Sequence, residues 1–201
     1  MTTRAATLVA RTASAVETQQ LAAALAALAQ PGDLVVLAGD LGAGKTTFTQ
    51  GFGRALGVTE PITSPTFTLA QQYEGRLRVH HLDVYRLEQL AEVAELGLSE
   101  LLDDGGVVLI EWGDAILGVL PADYLEVRLT YGDSVPSAER GDAAEAGDPG
   151  EAVAAVDAGG DDRRIVVRGV GRCWAGRQVS LLHAVAPWAE APNGTPRDPQ
   201  C

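Results

Sequence analysis

Residues 34–48 read LVVLAGDLGAGKTTF, and their order decides the fold. Leu34–Ala38 is a short apolar run that follows Pro31-Gly32, so it reads as a strand buried on both faces rather than as part of a helix. Gly39-x-x-x-x-Gly44-Lys45-Thr46 then satisfies the phosphate-loop pattern and leads into a helix-like segment, TQGFGRALG. Strand, glycine loop and helix is the order the chemistry requires. Glycines allow backbone N–H groups to converge on phosphate oxygens, and the helix N-terminus adds partial positive charge. The cradle spans Leu41, Gly42, Ala43, Gly44, Lys45, Thr46 and Thr47. In it, Lys45 is expected to reach the β- and γ-phosphates, and the Thr46 hydroxyl to ligate Mg²⁺.

Composition sharpens the nucleotide. Of the 15 basic residues Lys45 is the one lysine and the rest are arginine. A compact ammonium suits the phosphate cradle where a planar guanidinium does not. Guanine-specific switches commonly read the base through Asn-Lys-x-Asp, and a chain whose single lysine is already committed lacks that loop, which points to ATP. Neither a transporter-type Ser-Gly-Gly-Gln signature nor an arginine-rich kinase lid is visible.

Working outward, strands are expected at about 6–11, 33–38, 66–74, 77–83, 107–112, 124–131 and 163–170. Helices are expected at about 15–29, 45–56, around 88–103 and at 177–186. Strands alternating with helices indicate an α/β fold, a P-loop NTPase-like mixed central sheet flanked by helices. Residues 1–133 form the expected ATPase core. The span 134–162 is almost wholly Ala, Gly, Asp, Glu, Ser and Pro, without an aromatic residue, and reads as an acidic disordered insertion. Residues 163–186 return to complete the core, and 187–201 read as a loose tail.

The formal charge is −12, spread unevenly. Residues 1–132 carry 8 basic and 16 acidic groups, 133–162 carry 1 and 9, and 163–201 carry 6 and 2. A free-standing nucleic-acid binder usually presents a basic surface, so this chain is not expected to grip RNA or DNA unaided. No apolar run approaches the roughly 20 residues that span a bilayer. Two cysteines, Cys173 and Cys201, build neither a disulfide framework nor a zinc cluster, and no secretion signal opens the chain. A cytoplasmic protein without membrane contact is expected.

A phosphate loop needs a carboxylate at the end of a neighbouring strand to hold Mg²⁺ directly or through water. Glu111 ends the apolar run VVLI, and Asp83 ends LRVHHLD. Glu111 is assigned to the metal and Asp83 to the γ-phosphate side, orienting or activating the attacking water. Sequence leaves the reverse assignment open, and either carboxylate has an ordinary role as well: Asp83 as a cap before YRLEQL, Glu111 as a strand-end charge. His80 and His81 alternate faces, so one at most faces the site, and each reads as a packing or hydrogen-bonding residue. Trp112 reads as core or interface.

Together GDLGAGKTTFTQGFGRALG, ITSPTFTLAQQYEG, HHLDVYRL, ELGLSELL, VVLIEWGD and LPADYLEVRL resemble, in order and spacing, the bacterial TsaE proteins, from about Ala13 to Leu129. Members of that family are the small ATPase component of the machinery making N6-threonylcarbamoyladenosine beside the tRNA anticodon. The resemblance implies that Thr46 and Glu111 share Mg²⁺ and that Asp83, with Lys45, is needed for ATP hydrolysis. It also implies that Ser64-Pro65-Thr66 is a switch-like loop near the γ-phosphate, with Thr66 on the nucleotide, and that Thr18 lies on the base side. The implied partners are TsaD and TsaB, with tRNA reached only through them. ATP binding would support assembly, and hydrolysis would reset the complex. Two readings from other classes stay as alternatives: a small-metabolite kinase, and a nucleotide-dependent binding switch with little hydrolysis. The insertion and the Pro-rich tail depart from the family pattern.

Overall fold

The computed structural model describes residues 7–65, 68–85, 97–132 and 161–190. In chain order these form β1 (Thr7–Thr12), α1 (Ala15–Ala26), β2 (Leu34–Gly39), α2 (Lys45–Ala55), β3 (Ala70–Tyr73) and β4 (Val79–Asp83). After them come α3 (Leu98–Asp103), β5 (Val107–Glu111), a 3-10 helix at Gly113–Val119, β6 (Tyr124–Tyr131), β7 (Arg163–Val170), α4 (Gly171–Gly176) and α5 (Gln178–Val185). Thr66, the 86–96 part of the expected helical region, most of the 134–162 span and residues 191–201 lie outside the described residues.

All seven strands join one mixed sheet in the order β1-β7-β6-β2-β5-β4-β3. Its centre is parallel: β2 pairs with β5 and β6, and β5 with β4. Both edges are antiparallel, β3 on β4 at one side and β7 with β1 at the other. The parallel strands explain the continuous apolar runs, because helices cover both of their faces. Alternate residues of β2 divide between the two layers. Val35 and Leu37 join Leu109, Phe48, Phe52, Leu21 and Leu25 under α1 and α2, while Leu34 and Val36 join Val108, Ile110, Leu82 and Ile116 opposite.

Helix α1 begins with a reciprocal cap. The Ser14 hydroxyl accepts from the Glu17 amide at 3.2 Å, and the Glu17 carboxylate accepts from the Ala13 amide at 2.8 Å. Helices α1 and α2 cross closely because Gly51 has no side chain: a Cβ there would lie 2.4 Å from the Gln19 carbonyl oxygen. The expected helix at 15–29 ends at Ala26, where residues 27–29 tighten through bonds such as Leu28 N to Leu25 O at 3.0 Å. Helix α4 was not legible in GRCWAG, a glycine-bounded segment without helical periodicity; it forms because Trp174 buries against Gly169.

Strands β6 and β7 pair along their whole length although the 134–162 span separates them. Gly132 N donates to Asp162 O at 3.0 Å, and Arg11 binds the Asp162 carboxylate at 3.1 Å, so the neck of that span is held shut. Past α5 the chain returns along β1, where Ala189 bridges Ala10 and the Glu190 carboxylate meets Arg11 at 2.6 Å. Among the described residues, no helix is long and apolar enough to cross a membrane.

Candidate functional site

Because β2, β4 and β5 are parallel, their C-terminal ends share one edge of the sheet, the edge at which α/β folds gather ligands. Gly39 ends β2 at φ +124, and a Cβ there would fall 1.9 Å from the Leu129 carbonyl oxygen. Only glycine lets the loop leave the sheet past β6. Gly42 and Gly44 also hold positive φ, at +75 and +103, and Gly44 hands the chain directly to α2. The first amides of α2 therefore open toward the loop, with the dipole that favours anions.

Lys45 folds back over this loop. Its ammonium donates to the Gly39 and Asp40 carbonyls, both at 2.8 Å, and lies 3.5 Å from the centre of the Trp112 ring. Burial pushes its pKa below the usual lysine value, opposed by the carboxylates of Glu111, Asp114, Asp40 and Asp83. Trp112 takes a left-handed backbone (φ +63) to reach this position, and its ring packs against that of Tyr85 at 4.8 Å between centroids, tilted by 43°. A tryptophan in that conformation carries strain of about 1–3 kcal/mol, held in place by its surroundings.

The Thr46 hydroxyl donates to Glu111 Oε2 at 3.0 Å. The other carboxylate oxygen, Oε1, faces His81 Nε2 at 2.9 Å in a fully buried contact. Asp83 stands beside Glu111 in the β4–β5 register but has different partners. Its Oδ1 accepts from the Tyr85 amide at 3.0 Å, and its Oδ2 from the Ser64 hydroxyl at 2.8 Å. Thus Glu111 meets the phosphate loop, while Asp83 meets Ser64 and the Tyr85 amide; the helix it was expected to cap lies outside the described residues. His80 points away, 3.4 Å from the Asp104 carboxylate but outside hydrogen-bond geometry.

Toward β1 an open cleft is lined by Ala15, Thr18, Gly42, Ala43, Gly44, Thr47, Asp161 and Arg163. Thr18 donates its hydroxyl to Ser14 O at 3.2 Å and shares a 2.8 Å bond with Thr12, so within this wall its hydroxyl is already engaged. Leu41 is 75% exposed, and its carbonyl accepts from the Tyr131 hydroxyl at 3.0 Å. Arg163 donates to the Ala43 carbonyl at 3.2 Å and stacks over the Tyr131 ring at 4.5 Å. Tyr131, Arg163 and Trp112 are the site residues that sequence reasoning missed, while His81 is the one histidine of the pair that faces the site and has the hydrogen-bonding role expected of it. Period-two spacing puts His81 on the same face as Asp83; nothing local could have found Tyr131 and Arg163, which flank the loop only because β6 lies beside β2 and β7 beside β6.

A hydroxyl and a carboxylate 3.0 Å apart are the hard oxygen donors Mg²⁺ takes. Among the described residues no cluster of three or more His, Cys, Asp or Glu could cage an ion. The fit extends to a triphosphate, given the glycine cradle, the helix start and the inward ammonium.

A family model described as threonylcarbamoyl adenosine biosynthesis protein TsaE matches residues 12–140. The chain belongs to the TsaE family. It is 48% identical over 118 residues to the tRNA threonylcarbamoyladenosine biosynthesis protein TsaE of Bacillus subtilis, covering 58% of this chain and 73% of that one. The TsaE of Streptomyces coelicolor is 38% identical over 169 residues, 82% of this chain and 98% of its own length. Among solved structures, the crystal structure of Bacillus subtilis YdiB superposes with a TM-score of 0.64 at 33% identity, over 92% of this chain and 97% of that one. The TsaE match thus takes in the phosphate loop, Asp83, Glu111 and Trp112, and ends inside the acidic span.

Proposed function

We propose that this chain is the ATP-binding and ATP-hydrolysing subunit required to form N6-threonylcarbamoyladenosine in tRNA, acting in the cytoplasm with the TsaD–TsaB threonylcarbamoyl-transfer complex. Family membership supports the pathway, and the contact of Thr46 with Glu111 beneath the glycine loop carries the nucleotide chemistry. When bound, Mg²⁺ spreads the developing charge of the phosphates and ATP supplies the anhydride that is cleaved. Lys45 and the loop amides hold the phosphates, and Lys45 regains in those contacts the charge stabilisation that burial removes. Thr46 and Glu111 hold the ion. Asp83, with Oδ1 fixed by the Tyr85 amide, offers Oδ2 to orient the attacking water and take up its proton. Since Ser64 binds that same oxygen, movement of the 61–65 segment and availability of Asp83 are linked. The acidic balance of the chain agrees with tRNA being held by the partners rather than here.

The test is reconstituted tRNA threonylcarbamoylation with TsaD and TsaB over several turnovers, with and without this chain. Stimulation is expected, with multiple turnovers lost in Asp83→Ala while nucleotide binding persists. No stimulation overturns the proposal; normal turnover by Asp83→Ala reduces the chain to a binding switch; and transfer of labelled phosphate to a small acceptor makes it a kinase.

A further inference from the structure

Glutamate has a soft terminal torsion, so a strand-end Glu111 would ordinarily sweep its carboxylate through a broad range. Here both oxygens are held: Oε2 takes the Thr46 hydroxyl at 3.0 Å, and Oε1 faces His81 Nε2 at 2.9 Å. His81 reaches it because residues 81 and 83 of β4 and 109 and 111 of β5 share one face of the sheet, with His81 opposite Leu109 in the register. The His81 side chain is 0% exposed and that of Glu111 is 4% exposed, so water does not compete for this contact. An ionised carboxylate only accepts, which assigns the imidazole proton to Nε2. That leaves Nδ1 buried and without a partner among the described residues. Packing gives no reason for histidine at such a position, because an apolar side chain of similar size would avoid the orphaned nitrogen. The one thing His81 does that leucine could not is donate to Glu111.

We infer that His81 is a positioning residue for the metal site: it pins Oε1 of Glu111 so that Oε2 stays on the Thr46 side, where the divalent ion is held. This rests on the nucleotide-binding reading above. Partners that fix a ligating side chain typically contribute 10–100-fold in metal affinity or activity. The effect falls on the ion, since His81 is on the sheet beneath Glu111 and the phosphates are gripped by the loop and Lys45.

The experiment reads binding, not turnover. Affinity for a fluorescent N-methylanthraniloyl-ADP is measured in EDTA and across a Mg²⁺ titration for wild type, His81→Leu, His81→Gln and His81→Asn. Glutamine can bring an amide N–H to the position of Nε2; asparagine is too short. In His81→Leu the Mg²⁺ midpoint is expected to rise about 10–100-fold, as removal of such a partner does elsewhere, with affinity in EDTA held within about twofold. His81→Gln should return most of the midpoint and His81→Asn should not. A wild-type midpoint in the leucine variant overturns the inference, and so does equal behaviour of Gln and Asn, which decides the matter even if the leucine variant fails to fold. Absence of any Mg²⁺ effect on wild-type nucleotide affinity removes the underlying functional reading instead.

Discussion

Removing the Arg177 guanidinium should destabilise the fold strongly and leave the nucleotide site intact. Arg177, between α4 and α5, grips Asp33 through two parallel bonds of 2.6 Å, donates to the Leu28 carbonyl at 3.1 Å and lies 3.7 Å over the Trp174 ring. Both side chains are largely buried, Arg177 at 13% and Asp33 at 8% exposure. Without the arginine, the Asp33 carboxylate keeps, among the described residues, the Gln30 amide at 2.8 Å as its remaining donor. Breaking a buried pair by removing one partner costs about 3–5 kcal/mol, because the remaining charge is desolvated and unpaired. For a chain of this size 1 kcal/mol shifts Tm by about 2–4 °C, so Arg177→Met should melt about 6–20 °C below wild type. Neutralising both partners, in Arg177→Met with Asp33→Asn, removes the stranded charge and should recover a coupling of about 0.5–3 kcal/mol relative to the summed single variants. Asp33 precedes Gly39 by six residues along an extended strand, about 20 Å from the phosphate loop. Nucleotide affinity measured well below Tm should therefore stay within about twofold, taking twofold as under 0.5 kcal/mol. Urea and thermal unfolding followed by circular dichroism give the stabilities. A loss under about 1 kcal/mol for Arg177→Met, the range of an exposed pair, or strict additivity in the double variant, would refute the reasoning.

Gly39→Ala should lose more than the roughly 3 kcal/mol that a strained backbone alone can cost, because its Cβ would meet the Leu129 carbonyl oxygen at 1.9 Å. Gly105→Ala, also at positive φ but with nothing within 4 Å, should lose only about 1–2 kcal/mol, and equal losses in urea titrations would contradict the packing argument. Burial lowers the His80 pKa below its ordinary value, against the opposing pull of Asp104. The unfolded chain then binds the proton more readily, so stability falls as pH drops below about 6.5 toward the depressed folded value. His80→Leu should flatten the stability profile over that window, and an unchanged slope in unfolding measured from pH 7.5 to 5 would count against it.

How much was legible in advance differs between the fold and the site. The centre of the sheet was open to sequence because parallel strands buried on both faces must be apolar along their buried length, as LVVLA and VVLI are, and because the glycine pattern joins the first of them to a helix. Strands β6 and β7 were found to the residue, since period-two alternation survives where one face is less covered. Boundaries failed where the signal is not local. Helix α1 ended three residues early in a tightened turn, and α4 arose from the burial of Trp174 rather than from any periodicity.

By itself the sequence determined the phosphate loop, its lysine and the two strand-end carboxylates, because each depends on residue type and spacing within a few positions. Tertiary structure decided which carboxylate meets Thr46. The β4–β5 register sets Asp83 level with Glu111, yet Glu111 alone reaches the hydroxyl while Asp83 is taken by Ser64 and the Tyr85 amide. The same register delivers His81 to Glu111, and the β2–β6 and β6–β7 pairings bring Tyr131 and Arg163 to the loop across some 90 and 120 residues of chain. Such meetings are set by strand order and pairing between distant segments, which no short stretch of residues encodes on its own.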